Sequence, residues 1–253
     1  ESSSVCGENF KPDKTGDRAE LHLVGQQNPL VEAIAACGTP VVTVLIHGRT
    51  LILDRVLAAS SAVLDCWNLG EQRGNAVAAA LLGDTNPAGR LPVSVPRTSG
   101  QIPCHHSRRA KGRDRAYAFS DAGPRFPFGY GLSYTTFSYA NLRLSNLRLR
   151  PKRAVEVMVD ITNAGERGGE EVVQLYVRDI LASVSRPQQE LRGFRRVALA
   201  PGETTTVAFM LTVKDLEFTG LDMKRKAENG DYEILVGPNS RDCQSVTLSL
   251  IDD

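Results

Sequence analysis

Carboxylates crowd one short polar stretch of the chain, Gly7-Glu8-Asn9-Phe10-Lys11-Pro12-Asp13-Lys14-Thr15-Gly16-Asp17-Arg18, which reads as a loop after a strand end. A carboxyl within hydrogen-bond reach of a leaving atom serves as a general acid or base. Loops at the ends of parallel strands are where open α/β sheets take their ligands. The generic alternative for each acid is a solvated loop carboxylate, and Asp17-Arg18 also fit a local pair that holds the loop. Other stretches are weaker. Cys104-His105-His106 looks like a metal cluster, but adjacent histidines diverge on any regular element and no partner spacing supports zinc, so a loop is the better reading. Gly83 to Gly89 lacks the Lys and Ser/Thr of a phosphate loop. The run Arg108-Arg109-Ala110-Lys111-Gly112-Arg113-Asp114-Arg115 is basic and could attract polyanions, yet it fits a solvated loop.

The elements that must position these residues change character near residue 135. Before it, Gln27 to Cys37 places Leu30, Val31, Ile34 and Ala35 at helical spacing, with Gly38 as a natural stop. Val41 to Ile46 is a continuous β-branched run, as expected of a strand buried on both faces of a parallel sheet. Ala62-Val63-Leu64-Asp65-Cys66-Trp67 predicts a second strand, with Trp67 in the core, and Asn75 to Leu82 a short Ala-rich helix stopped by Gly83. Helix and strand in alternation mean α/β layers. After residue 135 the period becomes two. Val155–Ile161, Val172–Val177, Thr205–Leu211 and Tyr232–Val236 predict strands separated by turns at Asn163-Ala164-Gly165, Pro201-Gly202-Glu203 and Glu228-Asn229-Gly230-Asp231. Short strands with regular turns predict an antiparallel sandwich. The expected domains are residues 1–135 and 136–253.

Composition excludes several classes. The 253 residues carry 30 Lys+Arg against 29 Asp+Glu, a formal net charge of +1, where a dedicated nucleic-acid binder usually carries a basic surplus. With 42% hydrophobic and 23% charged residues the chain sits in the globular range rather than the disordered one. No apolar run approaches the roughly 20 residues of a membrane helix. The five cysteines are scattered without a CxxC pair, which argues for separate thiols rather than a disulfide framework or a redox motif.

Longer segments carry a resemblance. Gly83-Asp84-Thr85-Asn86-Pro87-Ala88-Gly89-Arg90-Leu91-Pro92-Val93 resembles the "GDxNPxGRLPV" signature of glycoside hydrolase family 3. Phe126-Pro127-Phe128-Gly129-Tyr130-Gly131-Leu132-Ser133-Tyr134-Thr135-Thr136-Phe137 is similar to the "PFGYGLSYTTF" that closes that family's second domain. Leu45-Ile46-His47-Gly48-Arg49 resembles "LxNGRP", with His47 and Thr50 departing from it. Gly169 to Val177 and Arg186 to Phe194 resemble the fibronectin type III-like domain that often follows. The likeness runs across nearly the whole chain.

The resemblance implies part of an α/β sandwich domain followed by an all-β fibronectin type III-like sandwich. It implies retaining hydrolysis of terminal non-reducing β-D-glucosyl residues, with β-xylosidase or exo-glucanase activity as alternatives. That chemistry needs two carboxyls about 5–5.5 Å apart. It needs no cofactor or metal. The nucleophilic Asp of such enzymes lies on an N-terminal barrel domain, for which these residues leave no room, so the implied partners are that barrel on another chain and a β-linked glucoside or oligosaccharide. Neither nucleic acid nor membrane is implied. One branch of the family has a loop like "GExPYxExxGD", whose second Glu is the acid/base, and ungapped spacing puts Asp13 there. Another has a loop like "SGEGY", which selects Glu8. Asp17 and Arg18 are candidate substrate contacts. A non-catalytic carbohydrate-binding or scaffold role is the reading from another class, although 6% aromatic residues and a single Trp make a broad sugar-stacking face unexpected.

Overall fold

The computed structural model of the chain describes residues 20–109 and 120–252, together with the backbone of Phe10, Lys11, Lys14 and Thr15. The described residues form two compact units. The first takes those within Glu1–Leu82, Val95–Cys104 and Arg115–Phe126; the second takes those within Gly83–Ser94, His105–Asp114 and Pro127–Asp253. No described helix is long and apolar enough to cross a membrane.

In the first unit, β1 (Phe10–Lys11) and β2 (Lys14–Thr15) pair antiparallel. Then come α1 (Gln27–Ala35), β3 (Val42–Leu45), α2 (Asp54–Ala59), β4 (Ala62–Asp65) and α3 (Arg73–Leu82). Gly38, at φ +83°, takes the left-handed conformation that ends α1. β3 and β4 run parallel, from Val42 opposite Ala62 to Leu45 opposite Asp65. A small core of Leu45, Leu51 and Leu53 forms behind them, with Leu23, Leu57 and Val63 packed against it. The two-sided burial expected of the β3 run is not reached, because Val42 and Ile46 stay exposed. Among the described residues this sheet is only two strands wide, so apolar side chains that a broader sheet would enclose remain accessible. The segments 95–104 and 120–126 join through a bridge between Val95 and Phe126. Buried Gln101 reinforces them: its Oε1 accepts from Arg97 N (2.6 Å) and its Nε2 donates to Asp121 O (2.9 Å).

The second unit is the sandwich. One sheet has the order β10 (Thr204–Thr212), β7 (Ala154–Asn163), β5 (Phe137–Leu144). The other runs β6 (Arg148–Leu149), β14 (Gln244–Leu250), β13 (Gly230–Gly237), β8 (Gly169–Asp179), β9 (Glu190–Leu199). A one-turn helix, α4 (Val213–Leu216), and a small hairpin of β11 (Phe218–Thr219) and β12 (Arg225–Lys226) connect β10 to β13. On β7, Val155, Val157, Val159 and Ile161 are fully enclosed, as period-two alternation over a buried face requires. They meet Val173, Leu175 and Val177 of β8 and Ile234 and Val236 of β13 in one continuous core. β8 is also buried on its other face, at Gln174 and Tyr176.

Candidate functional site

Glu8, Asp13, Asp17 and Arg18, the carboxylates and cation singled out from the sequence, lie outside the described residues. Within the stretch read as a polar loop, the backbone of Phe10 pairs with Thr15 and that of Lys11 with Lys14.

The described chemistry of the first unit gathers at the carboxyl ends of β3 and β4, where an open α/β sheet takes ligands. His47 follows β3 and is only 3% exposed. Its Nε2 lies 2.5 Å from Oδ1 of Asp65, the last residue of β4, whose side chain is 21% exposed. The parallel register sets Leu45 opposite Asp65 and so brings the two together. The carboxylate accepts from Nε2, which orients the ring. Among the described residues the Nδ1 of His47 and the indole Nε1 of Trp67 are enclosed without a hydrogen-bond partner. The His47 and Trp67 rings are tilted at 48° with centroids 5.1 Å apart. Trp67 itself has φ +49°, a conformation that a bulky side chain adopts only when its surroundings impose it. Burial, and then the Asp65 charge, push the Cys66 thiol upward. The cluster thus places an imidazole, held by a carboxylate, at the strand ends. Sequence reasoning noticed His47 only as a departure from an Asn-bearing motif. The signal for its partner was Asp65, an acid closing an otherwise apolar strand.

The second unit shows what the most recognisable segments do. Arg90 Nη2 donates to both carboxylate oxygens of Glu171, at 3.1 and 3.0 Å, and the two side chains are 7% and 4% exposed. Asn86 Oδ1 accepts from Tyr134 N (2.8 Å) and Ser133 Oγ (3.0 Å), while its Nδ2 donates to Gly168 O (3.0 Å). Leu91 and the Gly129–Tyr130 backbone exchange two hydrogen bonds of 2.8 Å. Gln174 on β8 donates through Nε2 to Gly129 O (3.2 Å) and Pro238 O (2.5 Å), and receives the Tyr176 hydroxyl on Oε1 (2.5 Å). Gly129 has φ +82°, and a Cβ there would collide with the Gln174 amide. His106 stacks on Phe128 (centroids 4.1 Å) and meets the edge of Tyr176 (5.9 Å). Burial, then the neighbouring His105, hold the His106 imidazole below its usual range. The signature segments are thus fastened over the otherwise open face of β8. No group of three or more His, Cys, Asp or Glu among the described residues could hold a metal ion.

Residues 1–134 match the glycosyl hydrolase family 3 C-terminal domain, and residues 171–240 a fibronectin type III-like domain. The chain belongs to glycosyl hydrolase family 3. A putative β-xylosidase of Formosa agariphila is 41% identical over 243 residues, 96% of this chain and 32% of that protein. A periplasmic β-glucosidase of Salmonella typhimurium is 38% identical over 248 residues, 94% of this chain and 32% of that protein. A solved β-glucosidase from Erythrobacter marinus superposes with a TM-score of 0.92 at 42% identity, over 96% of this chain and 32% of that one. This chain spans about a third of the length of the curated relatives it matches. The α/β segment followed by a fibronectin type III-like sandwich, expected from the sequence, is the architecture found.

Proposed function

We propose that this chain serves a retaining β-glycosidase that removes terminal non-reducing β-D-glucosyl residues. The observation that carries the reading is similarity along nearly the whole chain to proteins named β-glucosidase. In this reading Asp13 or Glu8 acts as the acid/base, protonating the glycosidic oxygen and later activating water. Asp17 and Arg18 contact the substrate or hold the loop. The nucleophilic carboxylate comes from a barrel domain outside these 253 residues, and the chemistry calls for no cofactor. β-Xylosyl residues are the second reading, favoured by the likeness to the Formosa agariphila protein.

The test joins this chain to the nucleophile-bearing domain of the same enzyme and measures aryl β-glucoside and aryl β-xyloside hydrolysis. Asp13→Ala is expected to lower kcat by about 10²–10⁴-fold with rescue by azide, and Glu8→Ala to do so if Glu8 is the acid. Full activity in both variants, or none in the folded unmutated assembly, sinks the proposal. The ratio of kcat/KM for the two aryl glycosides decides between glucosyl and xylosyl.

A further inference from the structure

We propose that the basic edge formed by Arg148, Arg150, Lys152 and Arg153 is a docking surface for uronate-bearing polysaccharide. All four side chains are exposed. None pairs with a carboxylate among the described residues; Arg150 Nη1 reaches only a main-chain oxygen, that of Asp252, at 3.3 Å. Elsewhere on the same unit exposed cations without a described carboxylate partner, such as Arg167, Arg195, Lys214 and Lys224, stand apart from one another along the chain, and others are paired. Arg143 pairs with Asp160, Arg178 with Glu233, Arg196 with Glu170, Arg225 with Glu217 and Lys226 with Glu228. The chain as a whole carries only +1, so four cations within six residues, none with a carboxylate partner among the described residues, form a local cluster of positive charge.

The backbone presents them in a row. Arg148 opens β6, the edge strand of the larger sheet, and Arg150 follows directly after it, the two on either side of enclosed Leu149; in extended backbone alternate residues point the same way, about 7 Å apart. The turn that follows has Pro151 as its second residue and closes with Arg153 N donating to Arg150 O at 3.1 Å. Its third residue, Lys152, has φ +61°, where glycine is the residue that local conformation favours. A cation therefore stands at the tip despite the backbone preference.

The ligand follows from the donors. Arginine forks match planar carboxylates. The stretch from Ser145 to Arg153 contains no aromatic ring on which a base could stack and no helix to enter a groove. A linear glycan with carboxylates along it suits an extended row of cations, and glycans are the family's chemistry. The inference is independent of which carboxylate is the acid/base.

The test uses the 253-residue chain on immobilised polygalacturonate, with neutral xylan as the control and with duplex DNA and phosphatidylserine vesicles as competitors. Binding to polygalacturonate but not xylan is expected, weakening as salt rises. Replacing all four residues with serine is expected to weaken it roughly tenfold or more. Lys152→Gly, which relaxes the turn while removing one charge, is expected to weaken it about twofold. A double Arg196→Ala/Arg225→Ala variant, which removes paired cations, is expected to bind as before. Equal binding to xylan, an unchanged Lys152→Gly, or displacement at lower charge concentration by DNA or vesicles than by free polygalacturonate overturns the proposal.

Discussion

Two close side-chain pairs, one in each unit, differ in how far they are shut off from solvent. In the first, His47 meets Asp65 across adjacent parallel strands, 18 positions apart, with the carboxylate partly open to solvent. In the second, Arg90 meets Glu171 across 81 positions, and both side chains are sealed. The Arg90 pair belongs to the segment most easily recognised from sequence, and it fastens that segment to β8. The His47 pair contains a residue that departs from the familiar motif, and it stands at the carboxyl ends of β3 and β4. Recognisable sequence here marks a folding constraint, while the departure is held at the carboxyl ends of the parallel strands.

This contrast can be tested, starting from the largest expected effect. Glu171→Ala strands a buried guanidinium and is expected to cost about 3–5 kcal/mol by chemical denaturation. Pairing Arg90→Met with Glu171→Leu should recover most of that loss, and a double variant no better than Glu171→Ala would show that the pair is not the source. Gly129→Ala, which combines a left-handed backbone with a collision against Gln174, is expected to cost about 2–3 kcal/mol. Asp65→Ala, measured the same way, should cost about 1–3 kcal/mol, because His47 loses its partner without leaving a permanent charge behind. His47→Asn, the spelling of the resembled motif, should be milder than His47→Leu. An Asp65→Ala loss larger than that of Glu171→Ala would reverse the comparison.

The smallest effect concerns an exposed pair. Asp160 accepts from Thr206, Asn141 and Arg143, and these hydrogen bonds, with the Arg143 charge, hold its carboxyl down at about 2. A folded value below the unfolded one stabilises above the unfolded value, near 3.9, and the contribution disappears as pH falls through about 2. Thermal melts of Asp160→Asn should therefore show a slightly lower Tm at neutral pH and convergence with the unmutated chain in strong acid. A constant Tm difference across that range would assign the effect to packing instead.

Much of the fold was legible from periodicity, and several of the elements that escaped did so for local reasons, although β14 is regular and was not read either. β7, β10 and β13 alternate, β8 is buried on both faces from Val173 to Val177, and all four extend one to three residues beyond their expected ends. β5 and β9 were not read because each carries a register shift, at Ala140/Arg143 in β5 and around Arg192 opposite Leu175/Tyr176 in β9, which breaks the period-two pattern. α2, at six residues, is too short to show helical spacing. Asp65 could be seen as an odd acid closing a strand, but its pairing with His47 depends on the parallel register of β3 and β4.

The sequence by itself determined the family, the change from α/β to β-sandwich texture and the main strands, because motif spelling and periodicity are short-range properties. Tertiary structure alone decided that Arg90 reaches Glu171, that Asn86 reaches Gly168 and that residues 83–94 belong to the sandwich unit. These contacts join residues some eighty positions apart. Their partners are chosen by strand register and by the cost of leaving a buried charge or amide unpaired, which no local window of sequence contains.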